Sequence, residues 1–348
     1  MKGRSALRQK DLIDDGPYAV YGASGIIGSM STFQNGARYV AVVKDGAGVG
    51  RANLCSARTS VLGTMQALIP TEMVLPEYLL HLIRAMRLGD GFSGSTIPHI
   101  YFKDYGQRLV RYVSMADQER IVGMLGSIED QIDILHQQNE RLDTLVKSRF
   151  VEMFGGMKYE SVPMGHLVAE IVAGTNVGGK QRPLLKGEYG VLKISAVTKG
   201  VFDASQYKVV EDVSSIKMVH PRKGDLLFSR ANTSEMVGAT AIVDKDCACL
   251  FLPDKLWRID PTDEVNTVFL KALLSSSRMR REISNASTGS SGSMQNISMT
   301  KFRSLPAFLP PLALQQEFAA FVAEVDKSRF NLLKTYGSII ALFRVLFP

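Results

Sequence analysis

The sequence predicts a mixed α/β (α+β) chain written twice: two similar domains, each followed by a long helix, the two helices pairing as an antiparallel coiled coil with pseudo-twofold symmetry. Three observations carry this expectation. A corner leading into an amphipathic helix occurs as "YVSMADQERIVGMLGSIE" (Tyr112 to Glu129) and again as "LPPLALQQEFAAFVAEVD" (Leu309 to Asp326). Glycine and tyrosine landmarks recur ahead of each copy, and 348 residues is too long for one ordinary core but comfortable for two. The expected boundaries are a first domain over 1–115, a central helix over 116–156, a second domain over 157–312 and a C-terminal helix over 313–348.

Within the first domain, Gly3, Gly16, Tyr18 and Val20 fall in register with Gly174, Gly187, Tyr189 and Val191 of the second. Further on, the turn "GSTIPHI" (Gly94 to Ile100) matches "SGSMQNI" (Ser291 to Ile297), and Ala116, Gln118, Ile121 and Leu125 match Ala313, Gln315, Phe318 and Val322. The two registers differ, so the second copy carries an insertion of roughly 26 residues, ordinary for loops of duplicated units. "YESVPMGHLVAEI" (Tyr159 to Ile171) precedes the Gly174 landmark, and nothing matches it before Gly3. The first domain is therefore expected to lack its opening segment.

The helices carry a four-three seam. In the central helix it runs Ile121, Leu125, Ile128, Ile132, Leu135, Asn139, Leu142 and Val146; in the C-terminal helix, Phe318, Val322, Val325, Arg329, Leu332, Tyr336, Ile339 and Phe343. Polar groups at Asn139, Arg329 and Tyr336 would fix the register of pairing at some cost in stability. At about 1.5 Å per residue, a helix of roughly 34 residues is on the order of 50 Å long, a spacer rather than a core element. Gly155 and Gly156 end the first helix, and Pro310 and Pro311 set the corner before the second. A twofold polypeptide suits a twofold partner, of which double-stranded DNA is the obvious case.

Composition and charge bound the function. Hydrophobic residues make up 45% and charged residues 22%, values of a folded soluble protein, and the net charge of +7 favours a polyanionic partner. Cys55, Cys247 and Cys249 form neither a disulfide framework nor a metal spacing. No secretory signal and no bilayer-spanning run is visible, so a cytoplasmic location without membrane attachment is expected. "GTNVGGK" (Gly174 to Lys180) fills seven positions of a phosphate-loop pattern, but Gln181 stands where a Ser or Thr hydroxyl would hold Mg²⁺. "YVAVVKDGAGVGR" (Tyr39 to Arg51) has the wrong glycine spacing for a dinucleotide site and reads as a close turn. No metal-ligating histidine pair, nucleophile motif or adenine-methyltransferase motif is present, so neither a cofactor nor catalysis is expected.

In order, "GPYAVYGASGIIG" (Gly16 to Gly28), "GSTIPHIYFKDYGQRLVRYVSMADQERI" (Gly94 to Ile121), "KGDLLFSRANTSEMVGATAIV" (Lys223 to Val243) and "GSSGSMQNISMTKFRSLPAFLPPLALQQEF" (Gly289 to Phe318) resemble the specificity subunits of type I restriction-modification systems. The resemblance implies two target recognition domains, each reading one half of a bipartite DNA site, on antiparallel helices. It further implies that the helices dock two modification methyltransferase subunits, which supply DNA methylation, and that a restriction subunit acts as motor in the full complex.

Groove readout needs donors and acceptors, and phosphates need positive charge and backbone amides. The candidates for DNA contact are Lys44 and Arg51, then Lys180, Arg182, Lys193, Ser195, Arg230, Asn232 and Thr233. Ser95, His99, Ser293, Gln295 and Asn296 on the paired Gly/Ser turns form a further group. Two rival readings stay open: a structural coiled-coil adaptor or degenerate specificity subunit without DNA binding, and a nucleotide-dependent enzyme using Lys180.

Overall fold

The computed structural model describes residues 1–3, 7–94, 97–156, 159–289 and 294–346. They divide into two compact units, Met1–His136 with Tyr336–Pro348, and Gln137–Thr335. The first unit holds strands β1 (Tyr18–Gly22), β2 (Gly25–Met30), β3 (Tyr39–Val43), β4 (Ala52–Cys55), β5 (Ser60–Val61) and β6 (Met65–Leu68), with helices α1 (Pro76–Ala85) and α2 (Phe102–Tyr105). Helix α3 (Met115–Phe154) begins in it. The second holds β7 (Ser161–Pro163), β8 (Val168–Ala173), β9 (Tyr189–Leu192), β10 (Tyr207–Val210), β11 (Leu226–Ser229), β12 (Ala231–Asn232), β13 (Thr240–Ile242), β14 (Leu250–Phe251), β15 (Leu256–Pro261), β16 (Gln295–Asn296) and β17 (Pro306–Phe308). Its helices are α4 (Thr267–Ser275), α5 (Ser277–Ala286), α6 (Met299–Arg303) and the start of α7 (Leu312–Leu346).

The two units are built on one plan. In the first, β1 pairs antiparallel with β2 and parallel with β5; in the second, β9 pairs antiparallel with β10 and parallel with β14. Beside this, β3 runs antiparallel between β4 and β6, and β11 between β13 and β15. The hydrophobic runs at these centres explain the assignment: Tyr39–Val43 and Leu226–Ser229 are buried at every position, as a central strand covered on both faces requires. Part of the extra length of the second copy lies in one connection. Ala23 and Ser24 join β1 to β2, whereas residues 193–206 join β9 to β10.

The copies differ at their openings. In the second unit β8 adds an antiparallel edge strand to β15, with Ala173 opposite Trp257, and β7 pairs with β17. In the first, a single bridge from Lys2 to Leu68 stands where Ala173 meets Trp257.

The seam positions Phe318 and Val325 are buried, and Leu125 is 2% exposed, whereas the apolar residues Ile134, Val151 and Phe330 lie off the seam and are exposed. Within the second unit the contacts between α3 and α7 run in opposite directions along the two chains. Phe150 packs edge-on against Phe318 at 5.6 Å, and Arg149 pairs with Glu317 at 2.9 Å. Further along, Arg329 donates to Asn139 Oδ1 at 2.7 Å and to Asp143 Oδ1 at 2.6 Å. Phe150, Phe154, Phe269 and Phe318 form one aromatic cluster beneath α4, each buried ring contributing about 1.5 to 3 kcal/mol. Within the first unit, His136 and Tyr336 approach at 5.7 Å. The side chains of Ile339 and Phe343 lie outside the described residues.

One buried residue ties each long helix to its domain. Gln118, fully buried, accepts from Leu75 N at 2.9 Å and donates to Met73 O and Val113 O. Gln315, equally buried, accepts from Asn266 N at 2.8 Å and donates to Glu264 O and Pro310 O. Leu75 and Asn266 are the residues that precede α1 and α4, so each amide group holds the start of a short helix against the start of a long one. Truncating either to Ala leaves main-chain groups without their partner. Gln118→Ala and Gln315→Ala are each expected to lower the stability of the chain by about 2 kcal/mol in urea unfolding followed by circular dichroism; a loss within error at both positions contradicts the role.

Candidate nucleic-acid interface

The paired Gly/Ser turns dock in the same way in both units. In the first, residues 93–99 close through bridges from His99 to Ser93 and to Asp45, and Ile100 N donates to Lys44 O. In the second, Asn296 bridges Thr288 and pairs with Ala231, Gln295 pairs with Asn232, and Ile297 N donates to Arg230 O. Lys44 and Arg230 therefore occupy equivalent positions, each with a side-chain-bearing turn laid across it. The bonds that recur in both units are main-chain bonds.

Around Arg230 the polar side chains are held rather than loose. Its Nε donates to Asp254 O at 2.9 Å, with Nη2 at 3.7 Å from the Asp254 carboxylate, and its side chain is 31% exposed. Asn232 Oδ1 accepts from Thr233 N, which orients the amide group. Lys193, Ser195 and Asn232 come together with Lys208, Asp254 and Lys255 around a concavity of about 460 Å³. Ser195 donates to Gln206 and Lys193 to Gln181, both from the long β9–β10 connection or its neighbour. Lys208 and Lys255 were not singled out by sequence reasoning, because an isolated lysine on a strand or turn carries no spacing signal.

In the first unit His99 Nδ1 lies 2.5 Å from Asp45 Oδ1, Tyr101 stacks on the imidazole at 6.2 Å, and Lys103 sits 5.4 Å from the centre of the Tyr101 ring. Tyr101 is half exposed, and an exposed aromatic beside an imidazole and a lysine ammonium is a surface on which a base or sugar can stack. Tyr101 and Lys103 too escaped the sequence reading, although they follow His99 directly. Ser95 and Ser293 lie outside the described residues.

Arg51, Arg182 and Lys180 are likewise held by protein partners. Arg51 folds back to donate to Gly48 O and Ala47 O, closing the turn between β3 and β4, where Gly46, Gly48 and Gly50 all take positive φ. Arg182 makes a two-pronged bond to Glu188 at 2.6 and 2.7 Å. Lys180 pairs with Glu211 at 2.7 Å, and its main chain bridges Val209 in an extended conformation with no helix following. Gly174 is explained by packing: a Cβ there would lie 1.9 Å from Leu252 O. Among the described residues no group of three His, Cys, Asp or Glu side chains is placed to hold a metal ion, and no helix is long and apolar enough to cross a membrane.

Comparison with known proteins finds similarity of sequence and fold. Residues 168–338 match the type I restriction modification DNA specificity domain. Over 175 residues the chain is 25% identical to the specificity subunit of the type I restriction enzyme EcoEI of Escherichia coli; the match takes in 49% of this chain and 29% of that subunit, less than a third of its length. The fold is shared along the whole chain with the S subunit of a type I restriction-modification system from M. genitalium (TM-score 0.54, 14% identity, 91% of that chain). It is shared also with a chain from a structural study of assembly and conformational transition in the type I R-M system (TM-score 0.53, 15% identity, 93% of that chain).

The Arg182–Glu188 bond predicts a titration. Hydrogen bonds from the guanidinium and from Leu185 N pull the Glu188 carboxyl down to about 2. A depressed carboxylate stabilises the fold above its ordinary pKa and loses that contribution as pH falls toward 2. In carbon-detected NMR the Glu188 carboxyl should titrate near 2 and return to the ordinary carboxylate range in Arg182→Ala; a midpoint already ordinary in the unaltered chain contradicts the bond.

Proposed function

We propose that the chain is the DNA sequence-specificity subunit of a type I restriction-modification complex. Each unit reads one half of a bipartite site in double-stranded DNA. The helices α3 and α7 pair antiparallel, set the spacing between the half-sites and dock two modification methyltransferase subunits, with restriction or motor subunits joining the full complex in the cytoplasm. The chain itself carries recognition, and the chemistry belongs to its partners.

The observation that carries this reading is the repeated turn: the same two bridges and the same bond from an isoleucine amide to the carbonyl of Lys44 or Arg230, once per unit. A duplicated constellation of cations and amides is what a two-part duplex site requires. The family match over residues 168–338 supports it, as does the net charge of +7. On this reading Lys44, His99, Lys193, Ser195, Arg230, Asn232, Thr233, Gln295 and Asn296 face DNA directly. Lys180, Arg182 and Arg51 contribute positive potential while holding their own loops.

Arg230 provides the test. Arg230→Ala should weaken binding to the cognate duplex by about 1 to 3 kcal/mol in a gel shift with the methyltransferase partner present. An equal loss on random duplex identifies a phosphate contact; a loss confined to the cognate site identifies a base contact. Unchanged binding to both contradicts the proposed interface.

The pairing of the helices is tested separately. Arg329→Ala removes the fork that joins Asn139 and Asp143, so the methylated positions of the two half-sites should become less well fixed relative to each other, read by mapping adenine methylation at single-base resolution. An unaltered spacing together with unaltered stability counts against a ruler built on that seam.

A further inference from the structure

Helix α5 carries cations on the face it leaves to solvent. With about 3.6 residues per turn, Arg278, Arg281 and Asn285 fall on one stripe, and each is exposed. Met279 and Ile283, on the opposite face, are 2 and 0% exposed, and their burial fixes which way the stripe turns. Neither arginine makes an ion pair or hydrogen bond to any described residue.

The helix is tied to the segment 230–238, which carries Arg230, Asn232 and Thr233. From its flank Arg280 Nη2 donates to Glu235 O at 2.6 Å and Ser284 Oγ to Ser234 O at 3.4 Å. The approach is close, since a Cβ added at Gly238 would lie 2.8 Å from Arg280 Nη1 and from Ile283 Cγ2. The chain leaving α5 bridges Thr288 to Asn296, and Asn296 pairs with Ala231. Helix, turn and segment brace one another.

The first unit is built differently at the same place. Counting from Leu75 and Asn266, which each precede a short helix, Leu88 matches Met279, and both are buried. Arg87 and Asp90, at the places of Arg278 and Arg281, pair with each other at 2.8 Å across a single 3₁₀ turn, Leu88–Gly91. Two unpaired cations in the second unit thus stand where the first has a neutralised pair.

A side chain that enters the major groove, about 12 Å wide, has a phosphate strand on either side. An element one helix diameter away, about 10 to 12 Å, falls over such a strand. We propose that α5 is a second DNA-contacting element of the second unit, in which Arg278 and Arg281 bind backbone phosphates beside the half-site. This rests on the DNA reading proposed above and adds to it a contact that positions the domain without reading sequence.

The test is the salt dependence of binding, followed by anisotropy of fluorescein-labelled duplexes, cognate and random, with the full chain and its methyltransferase partner. Each phosphate contact contributes about 0.9 to the slope of log K against log salt concentration. Arg278→Gln and Arg281→Gln should each flatten the slope by about that amount, equally on both duplexes. Arg278→Lys and Arg281→Lys keep the charge and should keep the slope. Arg87→Gln removes the same unit of charge from the chain and should leave the slope as it is. An equal flattening in Arg87→Gln makes the effect one of total charge and overturns the proposal, as does a loss confined to the cognate duplex. Absence of salt-dependent binding by the unaltered chain overturns this proposal and the DNA reading together, whereas binding whose slope neither glutamine variant changes overturns this one alone.

Discussion

The architecture rests on two buried glutamines. Gln118 and Gln315 each satisfy three main-chain groups where a long helix leaves its domain: one amide at the start of α1 or α4, one carbonyl two residues before it, and one carbonyl at the corner. A buried amide side chain with all its bonds made cannot be rotated without losing them together, so the direction in which each helix departs is set by hydrogen-bond geometry rather than by apolar packing alone. Proline reinforces the corner in the second unit, where Pro310 and Pro311 precede α7. The first unit uses Val113 and Ser114 instead, with Ser114 capping α3 through Asp117 N.

From those anchor points the rest is consequence. The aromatic cluster of Phe150, Phe154, Phe269 and Phe318 fills the space beneath α4. Arg329 then uses its planar fork on Asn139 and Asp143, a contact that tolerates only one register because both acceptors must be met at once. Within each domain, the main chain of Lys44 or Arg230 accepts the returning turn, which carries His99 or Gln295 and Asn296. On the proposed reading, position is supplied by the backbone and identity by the side chain.

Much of this was legible in the amino-acid order, because duplication makes pattern visible where single motifs are faint. The register matching Gln118 with Gln315 was visible; that both are buried clamps was not, since nothing in a lone glutamine distinguishes a core amide from a solvated one. The opening segment Tyr159–Ile171 stood out as unmatched, and the structure shows it as β7 and part of β8, with a bridge from Lys2 to Leu68 at the matching place. The candidate interface was legible in part. Lys193, Ser195 and Asn232 do meet around one concavity, but Arg182 and Arg51 bond to groups three to six residues away, and short-range pairing of that kind depends on loop shape that composition does not encode. Lys208 and Lys255 gain their interest from neighbours distant in sequence, whereas Tyr101 and Lys103 stand beside His99 and each other. In "GTNVGGK", Gly174 packs against Leu252 and Gly179 against Lys208 and Val209.

The account turns on each unit reading its own half of one DNA site through its repeated turn. Selection of bound duplexes from a fully randomised library, with the full chain and its methyltransferase partner, measures this directly. The account predicts a motif in two conserved blocks separated by an indifferent stretch, with one block relaxed by Gln295→Ala and Asn296→Ala and the other by His99→Ala. A single contiguous motif, or one in which either set of substitutions relaxes both blocks alike, would contradict it.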